Sequence, residues 1–246
     1  MSWGVGSIAR DAEDIAKLVA CFKEKRQGAK VVIMGHSTGC QDCMEYVVGA
    51  NAEKRPAVEG IILQAPVSDR EAIESELPKA FLQEANQLAL KMCREGHDKD
   101  AMPNRLTKPV FGRIAITARR WVDIASPGPD HAGADDYFSS DLPDERLKGT
   151  FGKLPAHSPL LILQGGSDES IPQSIDKLAL VQRWATITKS GGGKIDEMNS
   201  GIIAGASHNL NGNPDEVVQD LIRRVTGFIQ RLDVSDFRET ASTMRI

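Results

Sequence analysis

Hydrophobic residues along this chain fall into two alternating kinds of run. Short, nearly all-apolar blocks lie at 30–34, 60–63, 160–164 and 201–204, each bounded by glycine, proline or polar residues. Blocks of this length predict strands buried on both faces, the last being the weakest of the four. Between them the apolar residues recur at helical spacing. Ile15, Leu18, Val19 and Phe22 follow Ser7, a natural N-cap, and Gln27-Gly28 stops that helix. Residues 40–48 and 175–186 read as helices, and Val217, Leu221, Val225 and Phe228 behind Pro214 form a last amphipathic one. Strands alternating with helices predict an α/β fold, a mostly parallel sheet with helices on both faces. From residue 69 to about 157 the pattern changes to long helical stretches, 71–95 and 114–124, separated by Pro- and Gly-containing loops. The expected organisation is therefore a core formed by 1–69 and 158–232, a helical lid or cap at 70–157, and a polar, mobile tail at 233–246.

Composition narrows the class. The chain has 246 residues, 41% hydrophobic and 26% charged, enough to bury a substantial core. A net charge of -4 and a pI near 5.8 leave no basic stripe for phosphates, so nucleic acid is not an expected partner. The one compact basic pair, Arg119-Arg120, sits in an apolar helical pattern and reads as a helix face. No apolar run reaches the length of a membrane span. The first ten residues lack a secretory pattern, and Cys21, Cys40, Cys43 and Cys93 do not form a secreted-type framework. The expected location is the cytoplasm.

Against that background one motif carries chemistry. Gly35-His36-Ser37-Thr38-Gly39 follows a predicted strand directly and opens a predicted helix. Gly-x-Ser-x-Gly alone would occur by chance in a chain this long about one time in ten. The strand–turn–helix setting makes it specific, because that turn forces the serine into a strained conformation with its hydroxyl exposed above the sheet. Flanking glycines Gly35 and Gly39 are expected where side chains would collide with the neighbouring strand and helix. The Thr38 N–H at the helix start is the natural oxyanion donor. A serine nucleophile needs a base and an orienting acid. His208 follows the last strand in a short loop and is the best base among five histidines; His36 is expected to point away from the serine hydroxyl. Asp168 follows the third strand and Asp69 the second, so both are candidate acids, with Asp168 favoured by the order Ser…Asp…His and by the tight Gly165-Gly166 turn. Glu169 reads as a solvated neighbour or a helix cap. Cys40-x-x-Cys43 lacks further ligands and reads as core packing, so no metal and no cofactor are expected. Six acidic residues between 130 and 145, Asp135 and Asp136 among them, read as a solvated loop or as a negative rim for a cationic substrate.

Three longer strings then carry a family resemblance. Gly35–Asp42, Ile61–Glu71 with its Gln-Ala-Pro-Val-Ser-Asp-Arg-Glu core, and Tyr137-Phe138-Ser139-Ser140-Asp141-Leu142, supported by Trp3-Gly4, resemble a family of α/β-hydrolases found in fungi and plants. Its best-understood branch is the fungal siderophore esterases that hydrolyse fusarinine-type hydroxamates. The resemblance implies an α/β-hydrolase fold and cofactor-free hydrolysis of a small-molecule ester, with Ser37, Asp168 and His208 as the triad. Two other readings stay open: an esterase or thioesterase on another acyl substrate, and a shortened, non-catalytic binding module. The second arises because this fold normally has about four strands before the helix that starts near Ser7. The N-terminal strands are therefore expected to be missing, leaving the 30–34 strand as an apolar edge and the oxyanion hole short of its second donor.

Overall fold

The alternation along β2 and β3 explains the layering. β2 (Gly60–Gln64) and β3 (Leu160–Gly165) are fully buried. Ile61, Leu63, Leu160 and Ile162 face one hydrophobic cluster; Ile62, Leu161 and Leu163 face another, the two-residue period of a strand packed on both sides. The structure, a computed structural model, describes residues 4–125 and 133–234. With β1 (Val32–His36) and β4 (Gly201–Ile203), these strands form a four-stranded sheet in the order β1-β2-β3-β4, parallel throughout. A parallel sheet with helices on both faces is the α/β arrangement that the alternating pattern predicts.

One face is covered by α1 (Ile8–Lys25), α2 (Gly39–Val48) and α8 (Lys177–Ser190), the other by α9 (Asp215–Val234). Ser7 caps α1 as its sequence position predicts, its hydroxyl accepting from the Arg10 N–H at 3.3 Å. On the α9 face, a side chain at Gly60 would press on Phe228 and Leu232 at 3.1 Å, so the bare glycine lets the helix approach the sheet. The predicted tail begins later than residue 233, because α9 runs on through Val234; residues 235–246 lie outside the described residues. β1 is one of the two outer strands of the described sheet, and it is not buried on both faces: Met34 is half exposed, as are Leu18 and Phe22 on α1. No helix among the described residues is long and apolar enough to cross a membrane.

Between β2 and β3 the chain inserts a group of helices, the segment expected as a cap: α3 (Asp69–Glu76), α4 (Lys79–Arg94), α5 (Asn104–Phe111), α6 (Ala118–Ile124) and α7 (Asp144–Lys148). The long helix expected at 71–95 is broken in two, since Pro78 cannot continue a helix and pushes Leu77 into extended backbone (φ -111, ψ 144). α4, α5 and α6 have a hydrophobic cluster of their own, centred on Trp121 and Leu106.

Two of the strings that carried the family resemblance clasp cap to core. Ser68 caps α3, accepting from Glu71 N–H at 3.0 Å, and its Oγ meets Ser139 Oγ at 2.6 Å. Glu71 accepts from the Ser140 N–H at 3.0 Å. The Arg70 side chain is only 3% exposed; it reaches Asp136 at 3.0 Å, Glu74 at 3.3 Å and Asp141. Tyr137 donates to Glu45 of α2 at 2.7 Å. A buried guanidinium held by carboxylates is costly to break, because removal of one partner strands the other's charge. Arg70→Ala is therefore expected to lower unfolding stability by about 3–5 kcal/mol in denaturant titration. Lys17→Ala, which removes an exposed pair with Asp14, should leave the midpoint unchanged.

Candidate active site

β1 ends at His36 and α2 begins at Gly39, so the chain must turn within two residues. Ser37 makes that turn with φ 55, in the left-handed region that costs a residue with a Cβ about 1–3 kcal/mol. The turn is held on both sides: the Ser37 N–H donates to Gln64 O at 3.1 Å and its carbonyl accepts from Cys40 N–H at 2.9 Å. A Cβ on Gly35 would lie 2.2 Å from the Gly39 carbonyl oxygen, so no side chain fits there. Gly39 differs from expectation. A Cβ on it meets open space, and the steric argument applies to Gly35 alone. The Thr38 N–H heads the first turn of α2, where helix donors have no intrahelical partner. Cys40 and Cys43 are buried in the core, and burial pushes both thiols up, Cys43 to about 12. Among the described residues no group of three or more His, Cys, Asp or Glu side chains is placed to hold a metal ion.

Three side chains predicted from sequence come together. His208 Nε2 lies 2.8 Å from Ser37 Oγ, and His208 Nδ1 lies 3.0 Å from each carboxylate oxygen of Asp168. Asp168 is 2% exposed, and two further donors hold it: Gln164 Nε2 at 3.0 Å and the Ser170 N–H at 2.9 Å. The hydrogen bond that His208 Nδ1 donates to Asp168 raises the His208 pKa above its ordinary value, against the opposing effect of burial.

The loops beneath are fixed just as firmly. A Cβ on Gly165 would sit 2.7 Å from Ala206 O, so the acid loop and the histidine loop touch through backbone. Lys177 donates to the carbonyls of Gly166 and Asp168 at 3.1 and 2.9 Å. Glu169 is exposed, as a solvated neighbour of Asp168 would be, and it also accepts the His208 N–H at 2.9 Å. His36 points its Nδ1 at Gln64 Oε1, away from the serine, with its ring 5.0 Å from that of His208.

Asp69, the alternative acid, is not bonded to His208. It opens α3 and accepts from Gln41 Nε2 at 3.1 Å. Burial, then the charge of Asp135, push its carboxyl up to about 7. The acidic segment of the cap is not a free negative rim either. Asp135 and Asp136 are buried against Arg120 (2.6 Å) and Arg70 (3.0 Å), Asp144 pairs with Arg183 at 2.6 Å, and Glu145 with Lys148 at 3.6 Å. Asp130 lies outside the described residues.

Sequence reasoning missed Gln64, Gln164 and Lys177. A signal for the glutamines exists: each is the one polar residue at the carboxyl end of an all-apolar block, where parallel strands present their ligands. Lys177 has no such signal, since a lysine opening a helix is ordinary.

Fold and site together place the chain among the α/β-hydrolases. It belongs to the family described as "Protein of unknown function (DUF1749)", which matches residues 1–230. Among curated relatives, the esterase AN6793 of Emericella nidulans is 33% identical over 92% of this chain and 74% of its own length. The fusarinine C esterase sidJ of Aspergillus fumigatus is 34% identical over 94% of this chain and 77% of its own. The solved siderophore hydrolase EstB of Aspergillus fumigatus superposes with a TM-score of 0.78 at 34% identity, covering 94% of this chain and 78% of that one. A thermostable carboxyl esterase of Bacillus coagulans, 16% identical with a TM-score of 0.57, shares the fold.

The His208–Asp168 contact sets a measurable property. By NMR titration the His208 ring should ionise above 6.5, and Asp168→Asn should bring that value down, because the imidazolium loses its anionic partner.

Proposed function

We propose that this chain is a serine esterase that cleaves ester bonds of a hydroxamate siderophore of the fusarinine type through an acyl-enzyme. The observation that carries the chemistry is the Ser37–His208–Asp168 line, with 2.8 Å between hydroxyl and imidazole and 3.0 Å between imidazole and carboxylate. The substrate class rests on the family and on the printed names of relatives about one third identical.

In this reading Ser37 Oγ attacks the ester carbonyl while His208 Nε2 takes its proton. Asp168 holds the Nδ1–H tautomer and stabilises the imidazolium that forms. The Thr38 N–H stabilises the oxyanion, a donor of a kind whose loss typically costs about 10²–10³ in turnover. Collapse of the tetrahedral intermediate expels the alcohol, which takes the proton from His208. Water, deprotonated by the same imidazole, then releases the acid and restores Ser37. Because the base must be neutral, kcat/KM is expected to rise with pH through the raised His208 pKa, a limb centred above 6.5.

A fluorophosphonate probe should label Ser37, with labelling and ester turnover both abolished in Ser37→Ala; labelling that persists in the variant rules out this nucleophile. Parallel assays with a fusarinine-type ester and short acyl esters test the substrate. The siderophore ester should be turned over with the higher kcat/KM, and the reverse order would assign the site to another acyl ester.

A further inference from the structure

Gln164 breaks the pattern of its strand. β3 is buried along its whole length, and every residue from Leu160 to Leu163 is aliphatic. Gln164 is 1% exposed, so its amide has left water and needs partners inside the protein. A leucine would fill a similar volume without that cost. Strand register sets where the amide goes. β2 aligns Gln64 with Leu163, one residue short of Gln164. Side chains alternate between the faces of a sheet, so the two strand-end glutamines point to opposite faces. Gln64 turns to His36, and Gln164 turns to Asp168.

The Asp168 side chain is fully buried, and among the described residues three donors reach its carboxylate. Oδ1 accepts from the Ser170 N–H at 2.9 Å and Oδ2 from Gln164 Nε2 at 3.0 Å. His208 Nδ1 lies 3.0 Å from both oxygens. Each oxygen therefore has one donor of its own, and the imidazole N–H is shared between them. Without the Gln164 amide, Oδ2 would have the imidazole alone. The carboxylate would then hold more tightly a ring that has to release its proton in every turnover. The other charged groups here do not replace that donor. Lys177 donates to the Asp168 main-chain carbonyl, Glu169 accepts the His208 N–H, and Asp69, bonded to Gln41, acts on His208 through its charge.

We propose that Gln164 is a positioning residue of the triad: its amide holds one oxygen of Asp168, keeps that buried carboxylate ionised, and balances the hydrogen bond between Asp168 and the base. This deepens the esterase reading above and rests on it. Gln164 acts through Asp168, and the reacting atoms remain those of Ser37, His208 and the ester.

Two substitutions separate this role from packing. Gln164→Leu removes the donor at similar volume. With a nitrophenyl ester, kcat should fall about tenfold at unchanged KM, the factor for one hydrogen bond to a charged group. The rising limb of the kcat/KM profile should also move to higher pH, because the carboxylate retains the imidazolium proton more strongly. Gln164→Glu puts in place of the amide an acid that donates only while protonated. Its proton stays on residue 164, since Asp168 keeps its other two donors. The ratio of Gln164→Glu to wild-type kcat/KM should be near one at the acid end and fall at least about tenfold at the alkaline end, where two buried carboxylates oppose each other.

A packing role would lower each variant by a constant factor at every pH. That outcome in Gln164→Glu, or an unshifted limb in Gln164→Leu, overturns the proposal; if Gln164→Leu does not fold, the Gln164→Glu profile decides alone. If the wild-type protein turns over no ester, the esterase reading fails, and the positioning role is read instead by NMR titration of His208. A pKa higher in Gln164→Leu than in wild type supports it, and an unchanged value overturns it.

Discussion

Parallel register is the constraint on which the rest of this molecule depends. β1 pairs with β2 from Val32↔Gly60 to His36↔Gln64, β2 with β3 up to Gln64↔Leu163, and β3 with β4 up to Gly165↔Ile203. All four strands therefore run out at one end of the sheet, where backbone donors and acceptors no longer have ladder partners. Each of the three bonded site groups is delivered by the residues that follow a strand: Ser37 after β1, Asp168 after β3 and His208 after β4. A one-residue slip in any pair would turn a glutamine end away from its partner and carry the loop with it.

Holding such a site is costly, and the structure distributes the cost over several local bonds. Ser37 and Ala65 both adopt positive φ, at 55 and 50, immediately beyond adjacent strands. Strain of this kind persists only where the surroundings over-determine it. Here Ala65 N–H reaches back to Leu163 O at 2.8 Å while Ser37 N–H reaches Gln64 O. Gln64 also faces His36 and, at 3.5 Å, the His208 carbonyl, and Gln164 fixes Asp168 from below. The buried carboxylate of Asp168 thus never stands alone: a ring nitrogen, a side-chain amide and a backbone N–H share it.

The cap follows a different logic. Its charges are engaged within the protein: Arg70 and Arg120 pair with Asp136 and Asp135 inside the cap, and Arg183 of α8 reaches Asp144 across from the core. The most specific strings in the sequence are accordingly the two halves of a clasp, with Arg70 on one and Asp136 and Asp141 beside the other.

Sequence alone determined the class of fold and the chemistry-bearing positions. Four short apolar blocks, helices between them and Gly-x-Ser-x-Gly at a strand end are local patterns, written in residues near one another. Their periodicity could place Ser37, Asp168 and His208 at strand ends, and chain order favoured Asp168 over Asp69 without fixing which acid would meet the histidine. Tertiary structure decided that choice for Asp168, because the histidine loop packs on the acid loop at Gly165 while Gln41 draws Asp69 aside. It also decided which glycine of the elbow is sterically required, that Pro78 splits the first long cap helix, and that Asp135 and Asp136 are buried counter-ions. All of these depend on contacts between residues far apart in the chain, and hydrophobic pattern carries no information about which distant charge a buried charge will find.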